Sequence, residues 1–228
     1  MWTRKELKAR GKAAFKRNYW KSVVAGVVAL VLTGASAGGG SRVSGSAEEI
    51  TEAISQSGVS LTVFFGLLFG ILGISILLGT VINVFLCNPL EVGTNRFFLK
   101  NTQERANLKE LFYAFQNGSF LKIVAAKFLV NLFIFLWTLL LVIPGIIKSL
   151  EYLMVGYILA DNPDLQPMDA LRKSKQMMKG HKWNAFVLSL SFLGWEILSV
   201  LTLGLLDIFY VRPYIEATFA ELYLALKQ

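Results

Sequence analysis

A few ionisable residues interrupt the apolar stretches of this chain, and they are the residues whose types and spacing could do chemistry. Glu196, Arg212 and Glu216 lie in the last stretches, and Lys148 and Glu151 are three positions apart in an earlier one. Such groups could form a proton or ion path, or a charged wall for a substrate headgroup. The alternative, which we favour, is that they are neutralised pairs joining helices, because buried charges are usually paired.

The spacing of the last three residues suits a helical hairpin. If Gly204 is its tip, Glu196 lies eight positions before the tip and Arg212 eight positions after it. At a rise of about 1.5 Å per residue, both lie roughly 12 Å from the turn and can face each other. Glu216 follows Arg212 by one helical turn, on the same face.

Signals of catalysis are few. The run Gly34-Ala-Ser36-Ala-Gly38 matches the letters of a nucleophile elbow, but no strand precedes it. The single histidine, His181, is predicted at the opposite membrane face from Ser36. One histidine and one cysteine give no metal-ligand spacing, and no phosphate-binding glycine loop occurs. We therefore expect no enzymatic activity, no cofactor and no metal. An embedded lipid-processing enzyme is the least favoured class.

The elements that carry these residues follow from hydropathy. The 228-residue chain is 54% hydrophobic and only 17% charged, whereas soluble domains carry about 25% charged residues. A membrane-spanning helix needs roughly 20 apolar residues. Six spans are predicted, at about 21–38, 62–90, 120–143, 146–161, 183–203 and 206–225. The chain is thus predicted to be all-α, a polytopic membrane protein with one transmembrane domain over 1–228.

The placement of Lys and Arg predicts the orientation. The net charge is +8, and the positive residues concentrate before the first span, after the second (as far as Lys127) and after the fourth. Positive juxtamembrane segments stay cytoplasmic, so we expect a multi-pass protein of the cell membrane with both termini inside. Nucleic acid could bind the same charges, but they are divided among three membrane-flanking segments, so no such partner is expected.

A cleavable signal peptide is the alternative at the N-terminus. The basic start, the apolar run Val23–Leu32 and the sequence Ala35-Ser36-Ala37 fit that pattern. The length and amphipathic character of the basic segment favour a retained span instead. A mature N-terminus at Gly38 would contradict the six-span prediction.

The chain shows signs of an internal repeat. Three junctions combine an amphipathic segment, a polar or glycine bend and an aromatic at the membrane edge; they cover 15–20, 115–120 and 178–183. The even-numbered spans share the aligned segments 89–94, 156–161 and 213–218. These patterns predict three hairpins, each preceded by an interfacial amphipathic helix, in units of about 1–100, 101–162 and 163–228. Chance similarity among apolar helices is the alternative.

The basic faces of the interfacial segments could contact anionic phospholipid headgroups. Each basic residue near the surface would contribute about 1 kcal/mol of attraction. The candidate residues for headgroup contact are Arg17, Trp20, Lys179, His181, Lys182 and Trp183. General topological anchoring is the alternative, and we favour it.

Gly66, Gly70 and Gly73 form a face in the second span that allows close approach of another helix. We expect this face to pack within the molecule.

Several runs resemble a known family. Ile143–Ser149, Tyr157–Pro163 and Ser174–Trp183 are similar to the bacterial membrane family catalogued as domain of unknown function 975. Gly156 departs from the proline expected there, so a kink in the fourth span is in doubt. The resemblance implies a multi-span bacterial protein without known catalytic residues. Its distant similarity to a membrane domain fused to some glycerophosphodiester phosphodiesterases suggests a role near lipid or envelope metabolism.

Two functions are compatible with these features. The first is a non-enzymatic membrane protein that organises or assists a process through lipid or protein contacts. The alternative is a small transporter or channel that uses the charges of the last hairpin. A polar cavity that reaches Glu196 and Glu216 would favour transport, whereas a dry bundle would favour the first function.

Overall fold

The computed structural model describes residues 2–36, 61–116 and 118–227, and every element within them is helical. The α-helices are α1 (Arg4–Arg17), α2 (Tyr19–Ser36), α3 (Leu61–Ile82), α4 (Asn88–Gln103), α5 (Tyr113–Gln116), α6 (Phe120–Leu140), α7 (Val142–Glu151), α8 (Val155–Asp161), α9 (Pro167–Met177), α10 (Lys182–Leu190), α11 (Leu193–Leu201) and α12 (Arg212–Lys227). A 3-10 helix covers Leu108–Phe112, and π-helical turns cover Asn83–Cys87 and Asp207–Val211.

Within the described residues, four helical segments are long and apolar enough to cross a membrane: Phe65–Gln103, Phe120–Leu140, Val142–Asp161 and Lys182–Leu201. They overlap four of the predicted spans, and they support a membrane protein. The first predicted span, 21–38, begins in α2 and ends outside the described residues, as does the signal-peptide pattern. The last, 206–225, falls on the second π-helical turn and on α12.

The molecule has a packed layer and an apolar exposed layer. Phe97, Phe98 and Tyr223 are completely buried in the packed layer. In the other layer, Leu139 at the end of α6 is 74% exposed and Leu201 at the end of α11 is 76% exposed. Large contiguous apolar surfaces are rare on soluble monomers, so this layer is the part of the molecule that suits contact with lipid.

The connection between α6 and α7 lies slightly before Pro144 and Gly145, the two residues between the predicted spans 120–143 and 146–161. Leu141 is extended, and α7 begins at the next residue. Pro144 lies in the first turn of α7, where its missing N–H costs no helical hydrogen bond. Gly145 permits close approach of the two helices, because a Cβ there would lie 2.2 Å from the Thr138 hydroxyl oxygen.

The three even-numbered segments are interrupted at equivalent places. The π-helical turns end at Cys87 and Val211, two residues before Pro89 and Pro213. A non-helical turn covers 152–154 and ends two residues before Gly156. A proline leaves a carbonyl of the preceding turn unpaired, and a π-helical turn is one way to accommodate it. The break before Gly156 shows that the fourth span is kinked without a proline.

Two expected features differ in the structure. The middle unit begins with the 3-10 helix and the four-residue α5, whereas α1 and α9 are regular amphipathic helices. The carbonyl of Leu111 in that 3-10 helix packs directly on Gly93, which holds the segment against α4. In addition, a Cβ at Gly66, Gly70 or Gly73 would meet no atom of another described helix within 4 Å. Among the described residues, the intramolecular packing expected for that face is not found.

Candidate functional site

The last hairpin forms a pocket around two of the predicted intramembrane charges. Glu196, Asp207 and Arg212 line this cavity of about 410 Å³, together with Ser199 and residues of the tip. The turn at 202–204 contains Leu203 and Gly204, both with positive φ, and brings the two helices together. Glu196 and Arg212 thus share one pocket, although within the described part of the chain no ion pair joins them.

Glu216 lies in a different environment. Its carboxylate interacts with the Tyr157 hydroxyl and with the charges of Arg212 and Glu91. Glu91 Oε1 is 2.7 Å from the Nζ atom of Lys127, whose side chain is only 9% exposed. We call these five residues of α4, α6, α8 and α12 the central polar cluster. Two acids and two bases balance its formal charge, as expected where ionisable groups pack together. Lys127 is buried, whereas the Glu91 side chain is 45% exposed.

The helix interruptions position the central polar cluster. Glu91, Tyr157 and Arg212 each follow an interruption within four residues. A π-helical or non-helical turn changes the rotation of the following helix, and such turns are frequent at functional sites. The cluster therefore lies where α6, α8 and α12 pack against α4.

Three side-chain amides, of which those of Asn88 and Asn95 are buried, border the central polar cluster. The Asn131 side-chain N–H donates to Asn88 Oδ1 at 3.4 Å, and Asn88 is 4% exposed. Asn95 is also buried, and its Nδ2 atom would lie 2.1 Å from a Cβ at Gly156. These amides, Glu91, Lys127 and Tyr157 were not singled out from sequence. One sequence pattern could have identified Glu91. The alignment of 89–94 with 213–218 places Glu91 one position away from the equivalent of Glu216.

Lys148 and Glu151 form the i, i+3 ion pair that their spacing allows, at 2.7 Å. Glu151 is buried, and it has a second partner in Lys182 of α10, at 2.5 Å. The Ser174 hydroxyl of α9 donates to the Glu151 carbonyl at 2.7 Å and accepts the Met154 N–H at 3.3 Å. Glu151 therefore joins α7 to α9 and α10, and the role that this geometry supports is structural.

The six headgroup candidates divide into three pairs. Trp20 and Trp183 are each 71% exposed at the starts of α2 and α10. The cations of Arg17 and Lys182 are used within the protein: Arg17 donates to the carbonyls of Thr102 and Gln103, and Lys182 binds Glu151. Lys179 and His181 line a cavity of about 540 Å³, which also contains Trp2 and Arg10.

The geometry can now be compared with known proteins. Residues 138–228 match the family model of DUF975, a protein of unknown function. The match confirms the resemblance found in the sequence for this part of the chain. No curated protein matches the chain, and no solved structure does.

The DUF975 region contains only part of the central polar cluster. Tyr157, Arg212 and Glu216 lie inside the matched residues, as do Glu151 and the pocket of the last hairpin. Glu91 and Lys127 precede the matched region. The cluster is therefore completed by residues of α4 and α6 that the match does not include.

Proposed function

We propose that this protein is a non-enzymatic integral protein of a bacterial cytoplasmic membrane, with six spans in three hairpins and both termini inside. It organises or assists a membrane process through contacts with anionic phospholipid headgroups and with other proteins. The shared helix interruptions before Pro89, Gly156 and Pro213 support the three-unit arrangement. The observation that carries the functional proposal is the exposure of Trp20 and Trp183 at equivalent junctions.

These junctions combine the two features that favour the headgroup region. Tryptophan prefers the membrane–water interface because its ring is amphipathic. The helices before the two junctions carry exposed cations, among them Lys12 and Lys16 in α1 and Lys175 in α9. Each basic residue near an anionic surface contributes about 1 kcal/mol of attraction. The two junctions together would concentrate anionic lipid around one face of the molecule.

The test uses variants that retain one tryptophan, either Trp20, Trp183 or Trp137, with the others changed to Phe. Each is reconstituted in vesicles of phosphatidylcholine and phosphatidylglycerol in which only one of the two lipids carries bromine, a quencher of tryptophan fluorescence. Brominated phosphatidylglycerol should quench Trp20 and Trp183 more strongly than brominated phosphatidylcholine does at an equal mole fraction. Trp137, in the apolar layer, is the control and should show no headgroup preference. Equal quenching at all three positions would contradict the proposal.

A small transporter or channel is the second candidate, and one observation favours it. Arg212 borders the pocket that contains Glu196 and Asp207, and it also belongs to the central polar cluster. Its buried Nε atom has no hydrogen-bond partner among the described residues. Arg212 thus lies between this open pocket and Glu216. The lining of the pocket does not include Glu216 itself, so the polar space is not continuous to that residue.

Transport is tested in proteoliposomes loaded with a pH-sensitive dye and given a proton or potassium gradient. If the central polar cluster is a pathway, Glu216→Gln should abolish the protein-dependent flux while the melting temperature stays close to that of the wild type. Glu104→Gln is a matched control, because Glu104 is exposed and outside the apolar segments. Wild-type proteoliposomes with no more flux than empty vesicles would exclude transport of these ions.

A further inference from the structure

The cavity that contains Lys179 and His181 has features of a ligand site. It has a volume of about 540 Å³ and lies between α1, the C-terminal end of α9 and the end of α12. Trp2, Arg10, Lys179 and His181 supply its aromatic and basic lining. The rings of Trp2 and His181 lie 6.1 Å apart, centroid to centroid.

Two buried nitrogens at this cavity lack partners. Neither Trp2 Nε1 nor His181 Nδ1 has a hydrogen-bond partner in the described part of the protein. Leaving a buried polar group unsatisfied costs about 1–3 kcal/mol, and an indole nitrogen can only donate. The Trp2 N–H therefore requires an acceptor. The lining also includes Glu6, which is paired with Arg10. The Lys179 charge is left in excess, so the acceptor that fits is an anionic oxygen.

The cavity lies close to the predicted level of the headgroups. His181 immediately precedes α10 and is two residues from the exposed Trp183. A tryptophan at this position marks the membrane–water interface. A second cavity of about 430 Å³ shares Trp2 and adds Arg4 and Lys5, so cations line both cavities that Trp2 borders. This location favours a lipid over a soluble anion.

We propose that the cavity binds the phosphate group of an anionic phospholipid, which accepts a hydrogen bond from Trp2 and is held electrostatically by Lys179 and Arg10. The site deepens the proposed function and rests on it, because it assigns one defined position to the headgroup contact. It places the ligand at the junction of α9 and α10 and against the first residues of the chain. A bound lipid would then connect three segments that are distant in sequence.

The experiment measures lipid binding to the full-length protein in detergent by native mass spectrometry. The protein is titrated with phosphatidylglycerol and, separately, with phosphatidylcholine. Trp2→Phe removes the N–H and keeps an aromatic ring, and Lys179→Gln removes a charge. Lys109→Gln is the matched control, because Lys109 is exposed, lies outside both tryptophan junctions and does not line the cavity. Trp2→Phe and Lys179→Gln should each weaken the first phosphatidylglycerol binding event about fivefold, whereas Lys109→Gln should change it little.

The possible results separate the site from the general function. If Lys109→Gln and Lys179→Gln weaken binding equally, the attraction is a property of the whole surface, which overturns the site and leaves the proposed function intact. If the wild type does not prefer phosphatidylglycerol to phosphatidylcholine, both fail. Displacement of the lipid by millimolar inorganic phosphate would overturn the assignment to a headgroup. Melting temperatures control for folding, and Lys179→Gln decides the outcome if Trp2→Phe is unstable, because Lys179 is exposed.

Discussion

At the scale of single residues, Glu110 connects segments that no sequence pattern joined. Its carboxylate accepts from Arg96 Nε at 2.8 Å and from Lys100 Nζ at 2.7 Å. Arg96 also donates to the Ala160 carbonyl and lies over the Tyr113 ring, 3.6 Å from its centroid. Burial by itself would raise the pKa of Glu110, but the hydrogen bonds and charges of Lys100 and Arg96 lower it below the ordinary 4.5.

This pKa predicts a pH-dependent contribution to stability. A carboxyl whose pKa is lower in the folded state stabilises the fold above its unfolded pKa, and that stability is lost as pH falls through the folded value. At neutral pH, Glu110→Gln should therefore lower the free energy of unfolding by about 1–3 kcal/mol. Below pH 4.5 the difference from the wild type should shrink. Thermal unfolding in detergent across this pH range measures both effects.

Glu104→Gln provides the comparison for Glu110, because Glu104 is exposed and has no ion pair among the described residues. This variant should follow the wild type at every pH. A loss of stability in Glu110→Gln that is the same at neutral and acidic pH would show that the effect does not come from the carboxylate charge.

At the scale of helices, α1 is packed more tightly than an interfacial anchor requires. Leu7 and Phe15 are each 1% exposed. A Cβ at Gly11 would lie 2.7 Å from the Thr218 hydroxyl oxygen and 2.8 Å from its Cα atom. The first helix thus contacts the backbone of α12, and its position depends on a residue without a side chain.

Gly11→Val should separate α1 from α12. The added atoms meet backbone as well as side chain, so they cannot be accommodated by a rotamer change, and overpacking of this kind costs about 1–3 kcal/mol. The variant should have a lower melting temperature, and trypsin should cleave more rapidly at the basic residues of α1. Ala9→Val introduces a β-branched side chain on the exposed side of the same helix and should leave both properties nearly unchanged. Equal protease sensitivity of the two variants would contradict the close contact.

The bend between α1 and α2 is held by buried amides. Asn18 Nδ2 donates to Asn101 Oδ1 at 3.0 Å and to the Ala106 carbonyl at 2.9 Å. Asn101 is completely buried and donates to the Ala14 carbonyl at 2.9 Å. The sequence indicated a bend at Asn18, but the partner that fixes its angle comes from α4, over 80 residues away.

At the scale of the whole molecule, the net charge of +8 is a marker of orientation. The basic residues flank the apolar segments on the predicted inner side, whereas the tips of the second and third hairpins are apolar and exposed. This distribution agrees with the positive-inside rule. The orientation itself stays a prediction that labelling can test.

Single cysteines in a Cys87→Ala background provide this test. Ser46→Cys lies in the predicted outer loop, outside the described residues, and Lys175→Cys lies on the predicted inner face. A membrane-impermeant maleimide should label Ser46→Cys in intact cells, and it should label Lys175→Cys only after the membrane is permeabilised. Labelling of Lys175→Cys alone in intact cells would mean that the orientation is inverted.

The sequence by itself determined the class of the protein and much of the helix layout. Long uncharged runs have few stable solutions other than membrane helices, which is why four apolar segments appear close to their predicted places. The tip of the last hairpin at Gly204 could likewise be predicted from its residue type. Its φ is +81°, a conformation that glycine adopts without steric cost. The DUF975 match over 138–228 agrees with runs that were visible in the residues.

Only the tertiary structure decided which polar groups meet. Lys127 counted among the cytoplasmic charges in sequence, yet it is buried against Glu91. Tyr157 was part of a family run with no assigned partner, yet it lies close enough to Glu216 for the two side chains to interact electrostatically. Hydropathy is a property of one segment at a time, whereas these interactions depend on how α6, α8 and α12 pack against α4. That arrangement is a consequence of packing between distant segments, so no local pattern could contain it.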